Sequence, residues 1–130
     1  MKTTNLVLRI ILTLILLIPV GGALGLFPAP TAEMYGTAES WNFMSAMMQT
    51  GYMMPLIGLS FAICAILLFT GHQALSALML VPLTVNIMAF HWFTNASPIS
   101  AESALGYILL ALNLYLLWYN RQKYQVLLKR

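Results

Sequence analysis

The charged residues of this chain are distributed in a way that predicts a membrane topology. Four apolar runs cover residues 6–26, 53–70, 74–93 and 103–119, and each is long enough to cross a hydrocarbon core about 30 Å thick. All three acidic residues follow run one or run three, whereas the six basic residues lie near the two ends of the chain. Because Lys and Arg are retained on the cytoplasmic side, we predict that both termini are cytoplasmic.

The composition agrees with a membrane protein rather than a soluble one. The 130 residues are 61% hydrophobic and 7% charged, whereas soluble domains carry about 25% charged residues. We predict an all-α integral membrane protein whose single domain, residues 1–130, is a bundle of four antiparallel transmembrane helices. The first run partly resembles a secretory signal, but it is long for one, and we expect it to be retained as helix one.

The stretch from Thr31 to Gln49 is the longest segment that does not span the membrane. Thr37 or Ser40 is a suitable N-cap for a short helix there, with Trp41, Met44 and Met48 on one face. Since such a helix has an apolar and a polar face, we predict that this amphipathic segment lies on the outer surface between helices one and two.

Several functions are disfavoured by what the sequence lacks. No clustered basic face is present, so nucleic acid is not an expected partner. The one cysteine, Cys64, can form no disulfide within the chain. Six methionines, among them Met44, Met47 and Met54, fall on the predicted outer side. Thioethers bind Cu(I), but methionine also fills apolar gaps, and we interpret this group as packing, with no metal site.

Polar residues inside the apolar runs are the first candidates for a site, because a polar group in lipid is costly. Arg9 on helix one and Asn113 on helix four fall at similar depth on the inner side and could meet. Alternatively, Arg9 extends to the lipid phosphates near the helix end. The sequence leaves both possibilities open.

A second candidate set lies on the predicted outer side. Asn86 and His91 belong to helix three and are five positions apart, so they point about 140° apart around it. We therefore expect that they cannot both face one narrow site unless Pro82 distorts the helix. Tyr52 lies at a depth similar to His91. His91 is either a ligand-contacting or proton-accepting group or a histidine bonded to a loop carbonyl.

Motifs along nearly the whole chain resemble the DoxX family of small four-helix bacterial membrane proteins. In chain order they are Leu8-Arg9-Ile10, Phe27-Pro28-Ala29-Pro30, Gln49-Thr50-Gly51-Tyr52-Met53-Met54-Pro55-Leu56, Gly71, Val85-Asn86-Ile87-Met88-Ala89-Phe90-His91, and Leu117-Trp118-Tyr119 with Arg121. The Thr-Gly-Tyr-x-x-Pro-Leu and Asn-Ile-x-x-Phe-His strings are the more specific of these.

The resemblance implies a compact bundle with a pocket between helices, in the inner membrane of a bacterium. It also implies that Arg9, Asn86 and His91 are the principal site residues. Some relatives are small partner subunits in respiratory quinol oxidation or redox-stress complexes. Many relatives carry glutamates where this chain has Ser60 and Asn113, so acid-dependent proton or quinol chemistry is not expected here.

We therefore predict a DoxX-like protein without catalytic residues of its own, acting as an accessory subunit or as a binder of a lipophilic ligand such as a quinone or lipid. The candidate ligand-binding residues are Arg9, Tyr52, Asn86, His91 and Asn113. Two alternatives remain, a quinol-linked redox subunit and a small-molecule transporter acting as an oligomer. No carboxylate lies inside a predicted span, which argues against proton coupling. The expected partners are the bilayer and another membrane or redox protein, and a homo-oligomer is an open alternative.

Overall fold

The computed structural model describes residues 2–94 and 103–128, and within these ranges every regular element is helical. The elements are α1 (Lys2–Ala23), a short 3-10 helix (Ala32–Met34), α2 (Ala38–Gln49), α3 (Met53–Phe69), α4 (Gln73–Thr94), α5 (Ala104–Tyr119) and α6 (Arg121–Leu128). The prediction of an all-α protein is confirmed for this part of the chain. Glu102, Lys129 and Arg130, which entered the topology argument, lie outside the described residues.

Two helices are long and apolar enough to cross a membrane, by length and composition. They are Thr4–Ala23 within α1 and Gln73–Thr94, which is α4. A third span results if α2 and α3, which meet at a bend of 90°, are taken together. With 17 and 16 residues, α3 and α5 rise only about 24–26 Å along their axes. The described helices thus indicate a membrane protein with two to three candidate spans.

The four long helices α1, α3, α4 and α5 share one apolar core. Its buried members come from all four helices: Leu12, Leu16, Phe61, Cys64, Ala65, Leu68, Ala77, Leu80, Leu109 and Leu116. α1 packs most extensively on α3, α4 packs on both α3 and α5, and α1 and α5 meet over the smallest surface of these neighbours. Many large apolar side chains on α1, including Leu6, Ile10 and Leu14, point away from this core and are exposed, as expected for a surface in contact with lipid tails.

A tight turn joins α3 to α4. Gly71 has φ +89°, a conformation that glycine adopts without steric cost. It allows the amide of Gly71 to donate to Leu68 O at 3.4 Å and the amide of His72 to Leu67 O at 2.8 Å. This Schellman arrangement satisfies the last carbonyls of α3. The next buried bond, from Ser76 Oγ to Cys64 O at 2.9 Å, holds α4 against α3 directly after the turn.

The two ends of this group of helices differ, and we call the end that carries α2 the α2 end. There Ala23 of α1 lies beside Gly58 of α3, and Thr94 closes α4. At the opposite end, Asn5 of α1 donates from Nδ2 to Gln73 Oε1 at 3.3 Å. α6 begins there and is docked by Tyr124, whose hydroxyl donates to Ala74 O at 3.0 Å.

Candidate functional site

A cavity of about 470 Å³ lies between the long helices toward the α2 end. Its volume falls within the range of about 300–1,000 Å³ that is usual for small-molecule pockets. α1, α2, α3, α4 and α5 all contribute to its wall. Most of the lining is aliphatic, aromatic or methionine, and the polar side chains in it are Tyr35, Asn86 and His91. Burial raises the pKa of Tyr35, so its hydroxyl remains protonated and able to donate.

Asn86 and His91 flank the cavity on α4. Leu83, Ile87 and Phe90 lie between them on the helix surface and also line the cavity. At 100° per residue these positions cover an arc of about 140°, with Asn86 and His91 at its two edges. We expected that one narrow site could not include both residues. The structure instead has a broad cavity that both Asn86 and His91 line. Asn86 is the more exposed of the two.

A glycine on α5 permits close packing against α4 beside the cavity. Gly106 of α5 is buried, and a Cβ added there would lie 3.1 Å from Ile87 Cγ2 and 3.5 Å from His91 Cδ2. Glycine in an apolar helix commonly permits such close approach. Gly106, Tyr35, Phe43 and Met54 are lining residues that the sequence interpretation did not select. A glycine within an apolar run could have indicated a close helix contact from the sequence. The positions of Tyr35, Phe43 and Met54 depend instead on how α2 folds over the helix ends.

α2 covers the cavity and is fastened to α4 by hydroxyl groups. Thr37 caps α2 by accepting from Ser40 N at 3.2 Å, and its hydroxyl donates to Thr94 O. Ser40, fully buried, donates from Oγ to Thr94 Oγ1 at 2.9 Å, and Thr94 Oγ1 donates to Phe90 O at 2.6 Å. We call Thr37, Ser40 and Thr94 the hydroxyl cluster. Of the two predicted caps, Thr37 is the one used.

An aromatic contact adds to this fastening. The rings of Phe43 on α2 and Phe90 on α4 are 5.4 Å apart between centroids, and Phe90 meets the His91 ring edge-on at 5.3 Å. Phe43 and Phe90 both line the cavity. The cover of the cavity and its α4 wall are thus held by aromatic packing as well as by hydrogen bonds.

Replacement of Thr94 by valine should loosen α2, because the bond from Ser40 Oγ to Thr94 Oγ1 is lost while the side-chain volume is retained. A hydrogen bond contributes about 1 kcal/mol net, so we expect amide hydrogen exchange across α2 to be roughly three- to tenfold faster. Thr70→Val is the matched control, since that exposed threonine bonds only within its own turn. Equal exchange rates in the two variants would show that the bond from Ser40 to the Thr94 hydroxyl does not hold α2.

Arg9 lies at the opposite end of the helices from the cavity. Its guanidinium donates from Nη2 to Leu68 O and Phe69 O, which are among the last carbonyls of α3. Leu68 O also accepts from the amide of Gly71, so Arg9 adds to the backbone cap at this helix end. A positive charge is favourable there because the helix dipole is negative at that end. Among the described residues, Arg9 Nε is buried without a partner. These hydrogen bonds assign Arg9 a capping role on α3.

Asn113 lies in the core, one turn beyond the cavity residue Leu109 on α5. It is 1% exposed and donates from Nδ2 to Thr84 Oγ1 at 3.3 Å, while its Oδ1 has no partner among the described residues. Arg9 and Asn113, which the sequence suggested could meet, thus bond to different helices. Tyr52, at the start of α3, is 63% exposed and lies outside the cavity lining.

Comparisons with known proteins add no relative to this description. No family model, curated protein or solved structure matches the chain. In the described residues, no group of three or more His, Cys, Asp or Glu side chains is arranged to hold a metal ion.

Proposed function

We propose that this chain is a four-span membrane protein that binds an uncharged lipophilic molecule in the cavity under α2. The observation that carries the proposal is the lining itself. The described residues that line the cavity include no Asp, Glu, Lys or Arg, and burial of an unpaired ligand charge in such surroundings would be costly. A quinone or a neutral lipid has the required character, an apolar body with a few groups that can bond to Tyr35, Asn86 or His91.

The exposure of the cavity wall supports entry from the side. Ile18 of α1 and Leu105 of α5 line the cavity and are 47% and 44% exposed. They belong to α1 and α5, which pack on each other less extensively than α1 packs on α3 or α4 packs on α5. A molecule dissolved among lipid tails can approach such a wall without passing through water, which favours a ligand that partitions into the bilayer.

Four antiparallel spans are part of this proposal. α3 and α5 are short for a 30 Å core, but the deficit can be met by local thinning of the bilayer or by flanking residues that reach its interface. The charge distribution supports cytoplasmic termini, which would put α2 on the outer face of the membrane. The resemblance to the DoxX family supports a bacterial inner membrane and an accessory role beside another membrane or redox protein.

A set of photoreactive alkyl probes tests the ligand proposal. The probes share one chain length and end in a hydroxyl, a sulfate or a trimethylammonium group, and the full chain is labelled in lipid nanodiscs. We expect the hydroxyl probe to label peptides that line the cavity, and the two charged probes to label them several-fold less because a charge must be desolvated there. Labelled residues are identified by mass spectrometry.

Two tryptophan variants on α3 supply the control. Ile57 lines the cavity, whereas Leu59 is 57% exposed and outside the lining. Ile57→Trp should narrow the cavity and reduce labelling by the hydroxyl probe, and Leu59→Trp should leave it unchanged. Thermal unfolding of both variants shows whether the helices remain packed. Equal labelling in the two folded variants would refute binding in the cavity, and equal labelling by all three probes would refute an uncharged ligand.

A further inference from the structure

Three thioethers from two helices face the same cavity. Met44 and Met47 are three positions apart on α2 and Met54 is in the first turn of α3, and all three belong to the lining. The helices meet at 90° through a turn in which Gly51 has φ +73°. Because α2 and α3 meet at this angle, methionines from both sides of the turn line the same cavity.

An imidazole lines the cavity across from α2. His91, in the last turn of α4, is part of the lining. The edge-on contact of His91 with Phe90, and the contact of Phe90 with Phe43, place this turn of α4 against α2. The fold therefore gathers three neutral sulfur atoms and one imidazole from α2, α3 and α4 around a single cavity.

This donor set selects for one kind of metal ion. Thioethers are soft ligands and suit Cu(I), for which imidazole is also a common partner. Hard cations such as Ca²⁺ and Mg²⁺ require oxygen ligands with carboxylates among them. The described residues that line the cavity include no carboxylate. A monovalent ion also places less uncompensated charge in an apolar cavity than a divalent one. We propose that Met44, Met47, Met54 and His91 form a binding site for Cu(I).

Packing alone makes a different prediction about the methionines. Methionine is a flexible gap filler, and in that role its sulfur can be replaced by the carbon of leucine at any of the positions with similar consequences. A metal site instead requires the sulfur atoms of the lining methionines and of no others. Met34, Met48 and Met53 are the nearby methionines outside the lining, so the chain offers a matched set of three.

The test compares two triple variants, each lacking three thioethers. The full chain in detergent is titrated with Cu(I) under anaerobic conditions in competition with bathocuproine disulfonate. We expect the wild type and Met34→Leu/Met48→Leu/Met53→Leu to take up about one ion per chain, in keeping with one soft-ligand site. Met44→Leu/Met47→Leu/Met54→Leu lacks three of the four proposed ligands, so its affinity should fall by more than the roughly tenfold to hundredfold loss that follows from altering outer-shell partners alone.

Two further results separate the possible outcomes. His91→Gln should weaken Cu(I) binding while a circular dichroism spectrum shows unchanged helicity. Labelling by the hydroxyl-ended alkyl probe should persist in Met44→Leu/Met47→Leu/Met54→Leu, because leucine preserves the apolar lining. Equal Cu(I) affinity in the two triple variants, or no uptake by the wild type, overturns the metal site and leaves the lipophilic cavity standing. Loss of probe labelling without loss of Cu(I) would overturn the lipophilic cavity instead.

Discussion

Replacement of Gly58 by valine is expected to destabilise the packing of α1 on α3. A Cβ at this position would overlap the Ala23 side chain of α1, and α1 on α3 is the most extensive helix contact in the structure. Overpacking of a tight contact usually costs about 1–3 kcal/mol. The free energy of unfolding, measured by denaturant titration of the purified protein in mixed micelles, should fall by that amount.

The steric origin of this loss can be checked by a second substitution. Ala23→Gly removes the side chain that the new Cβ would meet, so Gly58→Val/Ala23→Gly should recover most of the lost stability. Gly22→Val is the control, because a Cβ at Gly22 meets no atom within 4 Å. A failure of Ala23→Gly to rescue Gly58→Val would mean that the helices do not approach each other here.

The second large effect is expected at the polar pair in the core. Thr84 is 2% exposed and Asn113 is 1% exposed, and the amide of Asn113 donates from Nδ2 to Thr84 Oγ1. Thr84→Val removes the acceptor and leaves the whole amide buried and unpaired. An unsatisfied buried group costs about 1–3 kcal/mol, so unfolding should require correspondingly less denaturant.

The same substitution should behave differently when the amide is absent. In an Asn113→Leu background, Thr84→Val removes nothing that a partner needs, and replacement of both groups by apolar ones is usually close to neutral. A double-mutant cycle on Thr84 and Asn113 measures this coupling. A coupling energy near zero would show that the bond between the two side chains does not contribute to stability.

Helix content was predictable from the sequence because apolar runs of this length leave few alternatives. Hydropathy predicts the approximate extents of the long helices. Thr37, as an N-cap, and the apolar face that follows it predict the short helix α2. Hydropathy alone does not decide which polar residues meet. Arg9 and Asn113 have similar depth in the sequence, yet Arg9 bonds to the end of α3 and Asn113 to Thr84 on α4.

The cavity depends on information that no single segment contains. The 140° separation of Asn86 and His91 is correct helix geometry, but whether two such side chains share a site depends on the width of the space they border. That width is decided by how α2 turns back over the helix ends and by small residues such as Gly106. Both are consequences of packing between distant parts of the chain, which periodicity within one helix cannot reveal.

The construction of the cavity from a separate cover and fixed walls has an evolutionary consequence. Phe43, Met44 and Met47 of α2 line the cavity, whereas the buried apolar core draws its members from α1, α3, α4 and α5. Substitutions at these α2 positions change the shape and chemistry offered to a ligand while the core residues keep their neighbours. If the proposed ligand binds in this cavity, selection can therefore act on ligand preference with little penalty in the packing of the long helices.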